Sequence, residues 1–377
     1  MTQAATPSRL PAALPFWVSL LLAPVLIIAA AQGGWTLILP PFAAWWAFSL
    51  IDTVLGVDED NADPDTKPHR LFWHGLITVI WFPIQFFLIF GLIWYATGAD
   101  HLSGWEKLFL FFGVGVVTGT IGINYSHELM HRQDKTERFL ADCLLASVMY
   151  SHFRSEHLLV HHLYVGTPRD AVTARYNEGF HQYFPRVLWQ SARSAWAAET
   201  AKLARRNFPP SHPTNPFWRY WALQLSFVIL AMLLGGWVGL ALFFYQAFIA
   251  IWQLELVNYV EHYGLTRKHL GDGKYEPTFP RHSWNAAQRA SNRLLINLQR
   301  HSDHHYKPNR RYPLLQSYAP SEAPQLPAGY TVMTLVAMWP PLWHRIMNPK
   351  VRKWRAMYYP EITDWTPYKT GTTPMPK

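Results

Sequence analysis

From Arg9 to Asp52 the chain carries no charged side chain, and from Arg219 to Glu255 it again carries none. Runs of this length constrain the fold more than any motif does. A bilayer core takes about 20 apolar helical residues, and backbone polar groups in hydrocarbon must be satisfied within the helix itself. Each run is too long for one crossing, and each has a glycine pair at its centre, in "AQGGW" (31–35) and "LGGW" (234–237). The glycines predict turns, so each run reads as two helices. Further uncharged stretches cover 71–97 and most of 107–126. The expected fold is an all-α polytopic membrane protein with six transmembrane helices, at about 14–31, 35–55, 71–97, 107–126, 219–234 and 237–257. The last pair is on the short side. The remainder, 127–218 and 258–377, is expected to form a helical cap within one domain spanning 1–377.

Composition agrees with a membrane protein that keeps a large wet portion. Of 377 residues, 50% are hydrophobic and 15% charged, with 19 Trp, 18 Tyr and 22 Phe. A net charge of +9 could attract nucleic acid or a lipid surface. No folded basic motif of the nucleic-acid-binding kind is present, so nucleic acid is set aside and the charge is assigned to the flanks of membrane spans. Lys and Arg gather in the N-terminus, the 56–70 loop, the 132–219 segment and the C-terminal third; the turns after helices one, three and five carry almost none, apart from Lys107. The positive-inside rule then places both termini and the cap in the cytosol. The N-terminal apolar stretch runs on too far for a cleaved signal and is read as a retained signal anchor. Cys143 is the single cysteine, which excludes an intramolecular disulfide and a cysteine-rich metal site; it is expected to be a small buried residue. "YTVMTLVAMWPPLW" (330–343) is too short to span and is broken by Pro340–Pro341.

Eighteen histidines are present, and nine fall into four patterns: HELMH (127–131), EHLLVHH (156–162), NYVEHYGL (258–265) and LQRHSDHH (298–305). The first contains the His-Glu-x-x-His signature of zinc proteases, in which two histidines one turn apart grip a metal and the glutamate is the general base. That reading needs only one or two further ligands and leaves three patterns without a role. A membrane transporter or receptor with a structural metal is a further reading. The topology brings all four patterns to the cytosolic face. Within each multi-histidine pattern, members three or four apart share a helix face. The adjacent pairs His161–His162 and His304–His305 lie about 100° apart around a helix and can address two different metals. One metal takes about four to six ligands, so nine imidazoles suit two. An all-imidazole shell suits Zn, Cu, Fe or Ni; two sites of four or five nitrogens each fit iron with positions left open for dioxygen. Glu128, Glu156, Asp170, Glu261 and Asp303 stand beside these histidines. Such carboxylates accept the second ring N–H of a ligating histidine; the plainer reading is surface charge or helix caps. His152 and His282 are further candidates for supporting a ligand.

Together, HELMH, EHLLVHH, NYVEHYGL and LQRHSDHH resemble the integral-membrane alkane hydroxylases, within the wider fatty acid desaturase and hydroxylase superfamily. The likeness runs from about residue 35 to 355 and is strongest in "NYVEHYGLTRKHLGDGKYEP" and "HSWNAAQRASNRLLINLQRHSDHH". The resemblance implies a six-helix bundle with a cytosolic cap in a bacterial inner membrane. It also implies two irons held by His127, His131, His157, His161, His162, His262, His301, His304 and His305. The implied reaction is O2-dependent hydroxylation of the terminal methyl of medium- or long-chain alkanes. Three positions depart from the family pattern: Val160 where glycine is usual, "DAVTAR" without the usual proline, and Tyr306 where alanine is usual. "SHELMHR", "HHLY" and "PPLWH" are closer to the xylene-type monooxygenases, which act on alkyl-aromatic methyl groups. Within the superfamily, a lipid acyl desaturase or hydroxylase is a further alternative.

A hydrocarbon offers no hydrogen bonds, so a channel must select it by shape. Trp45, Trp46, Phe82, Phe86 and Phe87 are candidate lining residues, against the simpler reading of helix packing or an interfacial aromatic belt. The chain has no dinucleotide-binding fingerprint, flavin motif or cysteine cluster, so electrons must come from a partner. The resemblance implies rubredoxin with its reductase, or a 2Fe–2S reductase on the aromatic branch. "RRNF" (205–208) and "KPNRRY" (307–312), with Arg310 and Arg311, are candidate docking sites for an acidic donor, or charge runs beside lipid headgroups.

Overall fold

The computed structural model describes residues 10–365. Arg9, the charged N-terminal lead-in and the extreme C-terminus, whose cytosolic placement the sequence suggests, lie outside the described residues. Five helical stretches are long and apolar enough to cross a membrane: Leu10–Gln32, Gly34–Leu55, Pro68–Gly98, Gly104–Met130 and Phe217–His262. The first two are separated where the glycine pair stands, with Gly33 and Gly34 both at positive φ (64° and 58°). The sequence reading counts six because it divides the last stretch at 234–237. Helix does run to either side of Gly236 there, and Gly236 alone is non-helical (φ 57°, ψ −150°). That residue reverses the chain. Phe227 and Phe243, on opposite sides of it, both pack against Phe90, with ring centroids 5.5 and 5.8 Å away. In a straight helix they would be about 24 Å apart. Phe217–His262 is therefore a hairpin with both legs against Pro68–Gly98.

The hairpin's second leg approaches Gly104–Met130 closely. A Cβ on Gly115 would fall 2.6 Å from Ile249 Cβ and 2.7 Å from the Gln246 carbonyl. One on Gly119 would fall 3.0 Å from Ala250 Cα. Small residues four apart let two membrane helices touch along their backbones, and the contact anchors both histidine-bearing helix ends.

Past those ends, the chain packs a second apolar core. Tyr259 and Tyr263 meet Trp343 at 5.3 Å each, and Phe180 of the Phe180–Ala204 helix lies 5.8 Å from Tyr259. The 330–343 segment divides as its prolines dictate: Tyr330–Ala337 is one helix, and Pro340 opens another, Pro340–Tyr358. The fold is not purely helical. His269–Gly271 pairs antiparallel with Lys274–Tyr275, closed by Asp272 and Gly273, both at positive φ (50° and 70°). An Asp-Gly hairpin turn demands this geometry, and "GDGK" is the signal that an all-α reading passes over.

Gly115→Ala is expected to force the two helices apart at a cost of about 1–3 kcal/mol. Thermal unfolding in detergent checks this, with Gly98→Ala, where a Cβ meets nothing within 4 Å, expected to match the parent.

Candidate metal centre

Four separate segments bring the nine patterned histidines together. The Gly104–Met130 stretch passes through a π-helical turn at Thr118–Ile123, then carries His127 in its final turn, with His131 just beyond. A second π turn, His157–His161, sits between Phe153–Glu156 and His162–Tyr164. Such turns alter which side chains share a face and are frequent at functional sites. His262 ends the long hairpin, and His301–Tyr306 is a short helix of its own.

The histidines form two groups. His127, His131, His157, His162 and His304 make one, and His161, His262, His301 and His305 the other; within each, one nitrogen per ring lies within 4.8 Å of all the others. Each adjacent pair divides between the groups, as a 100° offset anticipates. The expectation that partners three or four apart share a face fails at two places, one being His301 and His304, three apart in one short helix yet in different groups. At the other, His157 and His161 fall in different groups, because the π turn carries His162, five residues on, back beside His157.

The Nε2 atoms converge. His157 Nε2 lies 2.9 Å from His127 Nε2, 3.1 Å from His131, 2.9 Å from His162 and 3.4 Å from His304. In the second group His301 Nε2 lies 3.1 Å from His262 and 3.0 Å from His305. A neutral imidazole has a single N–H, so rings clustered in this way turn lone pairs toward lone pairs. A cation among them removes the conflict. Nitrogens about 2.1 Å from one ion stand about 3 Å apart when adjacent, close to the 2.9–3.4 Å observed. Burial, then the neighbouring histidines, hold His131, His157, His162, His301, His304 and His305 well below the ordinary histidine value. They are therefore neutral, as ligation requires.

The surrounding carboxylates do different jobs. His161 Nδ1–H donates to Asp170 Oδ2 at 2.9 Å, which leaves its Nε2 lone pair free for the group. Asp170 is itself fixed by Val172 N–H and the Thr173 hydroxyl. Burial would raise its pKa, but His161 and these hydrogen bonds hold it below the usual value. Glu261 Oε1 stands 3.3 Å from His301 Nδ1, and His262 Nδ1–H points at the His282 carbonyl, 3.3 Å away. Glu128 and Asp303, two of the five carboxylates that the sequence sets beside the histidines, turn toward other groups. Glu128 faces Arg132 and accepts from Tyr312 N–H. Asp303 binds Arg310 through both oxygens (2.7 and 2.6 Å) and also accepts from Tyr318 O–H and Gln316 N–H. Both carboxylates brace the loop after the last histidine box. Glu156 is fully buried, with no hydrogen-bond partner among the described residues. His152 packs against Tyr150.

A mainly apolar cavity of about 830 Å³, its open mouth included, reaches both groups: His127 and His157 of the first and His301 of the second line it. Trp45 lines it as well, held by a hydrogen bond from its Nε1 to Gln253 Oε1 at 2.8 Å. The other candidate lining residues lie elsewhere. Phe82 and Phe86 belong to the aromatic cluster around Phe90 and Phe227, while Trp46 and Phe87 are exposed on the outside of the bundle (46% and 71%). Asn258, Leu298, Tyr330 and Thr334, from the chain's second half, also line the cavity; they lie in the patterns quoted above, but nothing local marks them as lining residues. Arg310 and Arg311 do not form a free docking patch: Arg310 is spent on Asp303 and Arg311 on Glu137.

A membrane-type helical bundle with a paired histidine centre at the end of its spans matches one established class. The fatty acid desaturase family model matches residues 103–337. The chain is 37% identical over 318 residues to alkane 1-monooxygenase 2 of Pseudomonas aeruginosa, covering 84% of each chain. It is 35% identical over 322 residues to alkane 1-monooxygenase 2 of Alcanivorax borkumensis, covering 82% of each. The xylene/toluene monooxygenase hydroxylase component of Pseudomonas putida is 29% identical over 243 residues, 64% of each chain. The chain belongs to the fatty acid desaturase family, in its branch of integral-membrane alkane hydroxylases, and that family implies a histidine-held iron site.

Asp170→Asn is expected to weaken iron binding about 10- to 100-fold, as loss of a ligand's partner does, while Glu128→Gln leaves it close to wild type and lowers thermal stability instead. Iron retained per chain against a chelator series, read beside unfolding curves, separates the two outcomes.

Proposed function

We propose that this chain is a di-iron monooxygenase that hydroxylates the terminal methyl of medium- or long-chain alkanes, with O2 as the oxidant and rubredoxin as the electron donor. The observation that carries this reading is the apolar cavity touching both histidine groups. A hydrocarbon seated there has one end beside the place where metal would sit. The named relatives support the same reaction. Five histidines would hold one iron and four the other, and the irons, when bound, supply the activation of O2.

The chain's own residues supply the rest. Asp170 and the His282 carbonyl fix ring orientation by engaging Nδ1, and Glu261 stands beside the Nδ1 of His301. The apolar lining excludes water, so the methyl group is not displaced by a polar competitor. Each methylene buried contributes about 0.8 kcal/mol, so selectivity among chain lengths is gentle until the alkane meets a side chain that cannot move. Trp45, pinned by Gln253, is such a side chain.

The same reading places six crossings in a bacterial inner membrane, the sixth arising from the reversal at Gly236, with both termini and the iron site on the cytosolic side. The lysine and arginine distribution supports that orientation. An alkyl-aromatic substrate is the second reading. It rests on the xylene-type relative and on "SHELMHR" and "PPLWH".

Whole cells expressing the chain with a rubredoxin or a 2Fe–2S donor system, fed octane, hexadecane and p-xylene together, are expected to release terminal alcohols from the alkanes. Methylbenzyl alcohol alone would transfer the chain to the aromatic branch. His304→Ala, which removes a nitrogen from the five-membered group, is expected to abolish product and to lower bound iron.

A further inference from the structure

Six of the nine histidines are buried, and His127, His131 and His162 are partly exposed; His127 lines the cavity, whereas His131 and His162 do not, and the rings of these two touch, with centroids 4.8 Å apart. They mark the place where the centre comes to the surface outside the hydrocarbon cavity. His162 also touches both groups. Its Nε2 is 2.9 Å from His157 Nε2, and its ring lies 4.6 Å from that of His305. The residue after His162 is Leu163, 58% exposed, and the residue after His305 is Tyr306, 43% exposed. An exposed leucine and an exposed tyrosine thus each follow directly on one of two histidines whose rings meet.

Positive charge flanks them. Lys307 Nζ sits 4.8 Å from the centre of the Tyr306 ring, and the Arg169 guanidinium lies 5.5 Å from that of Tyr164, the residue after Leu163. Arg138 is tied to the backbone of Gln133, two residues past His131. None of these three cations has a carboxylate partner among the described residues. The contrast with Arg310 and Arg311 is direct, because those two are neutralised by Asp303 and Glu137. An apolar centre with an unpaired basic rim is complementary to a protein with an apolar tip and an acidic rim. Such a contact steers association by charge while burying little area, as transient electron-transfer pairs do.

We propose that the His131–His162 edge, with Leu163 and Tyr306 at its centre and Lys307 and Arg169 on its rim, is the docking surface for a small acidic one-electron carrier protein. This deepens the function proposed above and rests on it. The carrier donates one electron per encounter, and two encounters supply the pair that O2 reduction needs. Tyr306 acts as an aromatic contact, and His162 is the ring edge facing the incoming redox centre. The site does not include 205–208, where the other basic run lies.

The test uses the full chain in lipid nanodiscs with iron bound, and two acidic probes: a rubredoxin and a 2Fe–2S ferredoxin. Carrier Kd is measured at two salt concentrations, alongside hydrocarbon oxidation driven by dithionite, which needs no docking. K307E combined with R169E is expected to weaken binding of one probe at least tenfold and to flatten its salt dependence. Tyr306→Ala is expected to weaken binding about threefold or more with the salt dependence retained. R205E combined with R206E is expected to leave Kd unchanged. Dithionite-driven oxidation should persist in all three variants, which shows that the centre is intact. If both probes bind the K307E/R169E variant as they bind the parent, or if R205E/R206E alone weakens them, the proposed surface is wrong. Binding of neither probe to the parent overturns it as well. Failure of the parent to oxidise any hydrocarbon with dithionite would instead strike at the function on which the proposal rests.

Discussion

Everything in this structure answers to the convergence of nine imidazoles at one end of an apolar bundle. Polar groups in a medium of low dielectric are costly when unpaired, and lone pairs held about 3 Å apart repel. The chain tolerates the arrangement because each imidazole is carried by an element that is itself firmly fixed. The Gly115–Gly119 contact locks two helices, Asp170 locks a third segment, and the Asp303–Arg310 pair locks the loop beyond the fourth. Remove the requirement that these rings meet, and the close helix approach and much of the buried ionic bracing lose their purpose.

The bracing follows a consistent division. Carboxylates that face ring nitrogens act on individual histidines, and those that face arginines act on the backbone path. Arg132 shows the second kind well. It binds the carbonyls of Asn309 and Arg310 as well as that of Glu128, and so joins the segment after the first histidine box to the segment after the last. The Gln253 amide plays a comparable part deeper in the bundle. It donates to the carbonyls of Gly115 and Val116 while accepting from Trp45 and Thr120, so one side chain ties three helices around the cavity.

Much of this was legible in the sequence. Gaps in charge located the apolar helices, glycine pairs located both reversals, and spacing picked out the histidines that the fold gathers. The rest was hidden for identifiable reasons. The π turn at His157–His161 changes the angular bookkeeping of a helix, so sharing a face could not be read from a spacing of four. Glu128 and Asp303 are sequence neighbours of patterned histidines, but adjacent residues on a helix point about 100° apart, and both were drawn to arginines. The cavity's second wall comes from residues some 130 to 210 positions after Thr120, a long-range pairing that no local pattern reveals. The Gly115-x-x-x-Gly119 spacing and the Asp272–Gly273 turn were readable, being short-range signals with a clear steric meaning.

The order in which the ligand segments leave the ribosome has a consequence of its own. His127 and His131 are made early, His262 far later, and His301, His304 and His305 later still. Neither group is complete until the final box has been synthesised, since each draws on it. A metal ion offered during translation finds at most a partial ring of nitrogens. Because metal binding and folding share one free energy, loading of the centre falls at the end of biogenesis, after the helices have inserted. A chain truncated before residue 301 would keep four of the five histidines of one group but only two of the four of the other, so the paired centre depends on the last segment to be made.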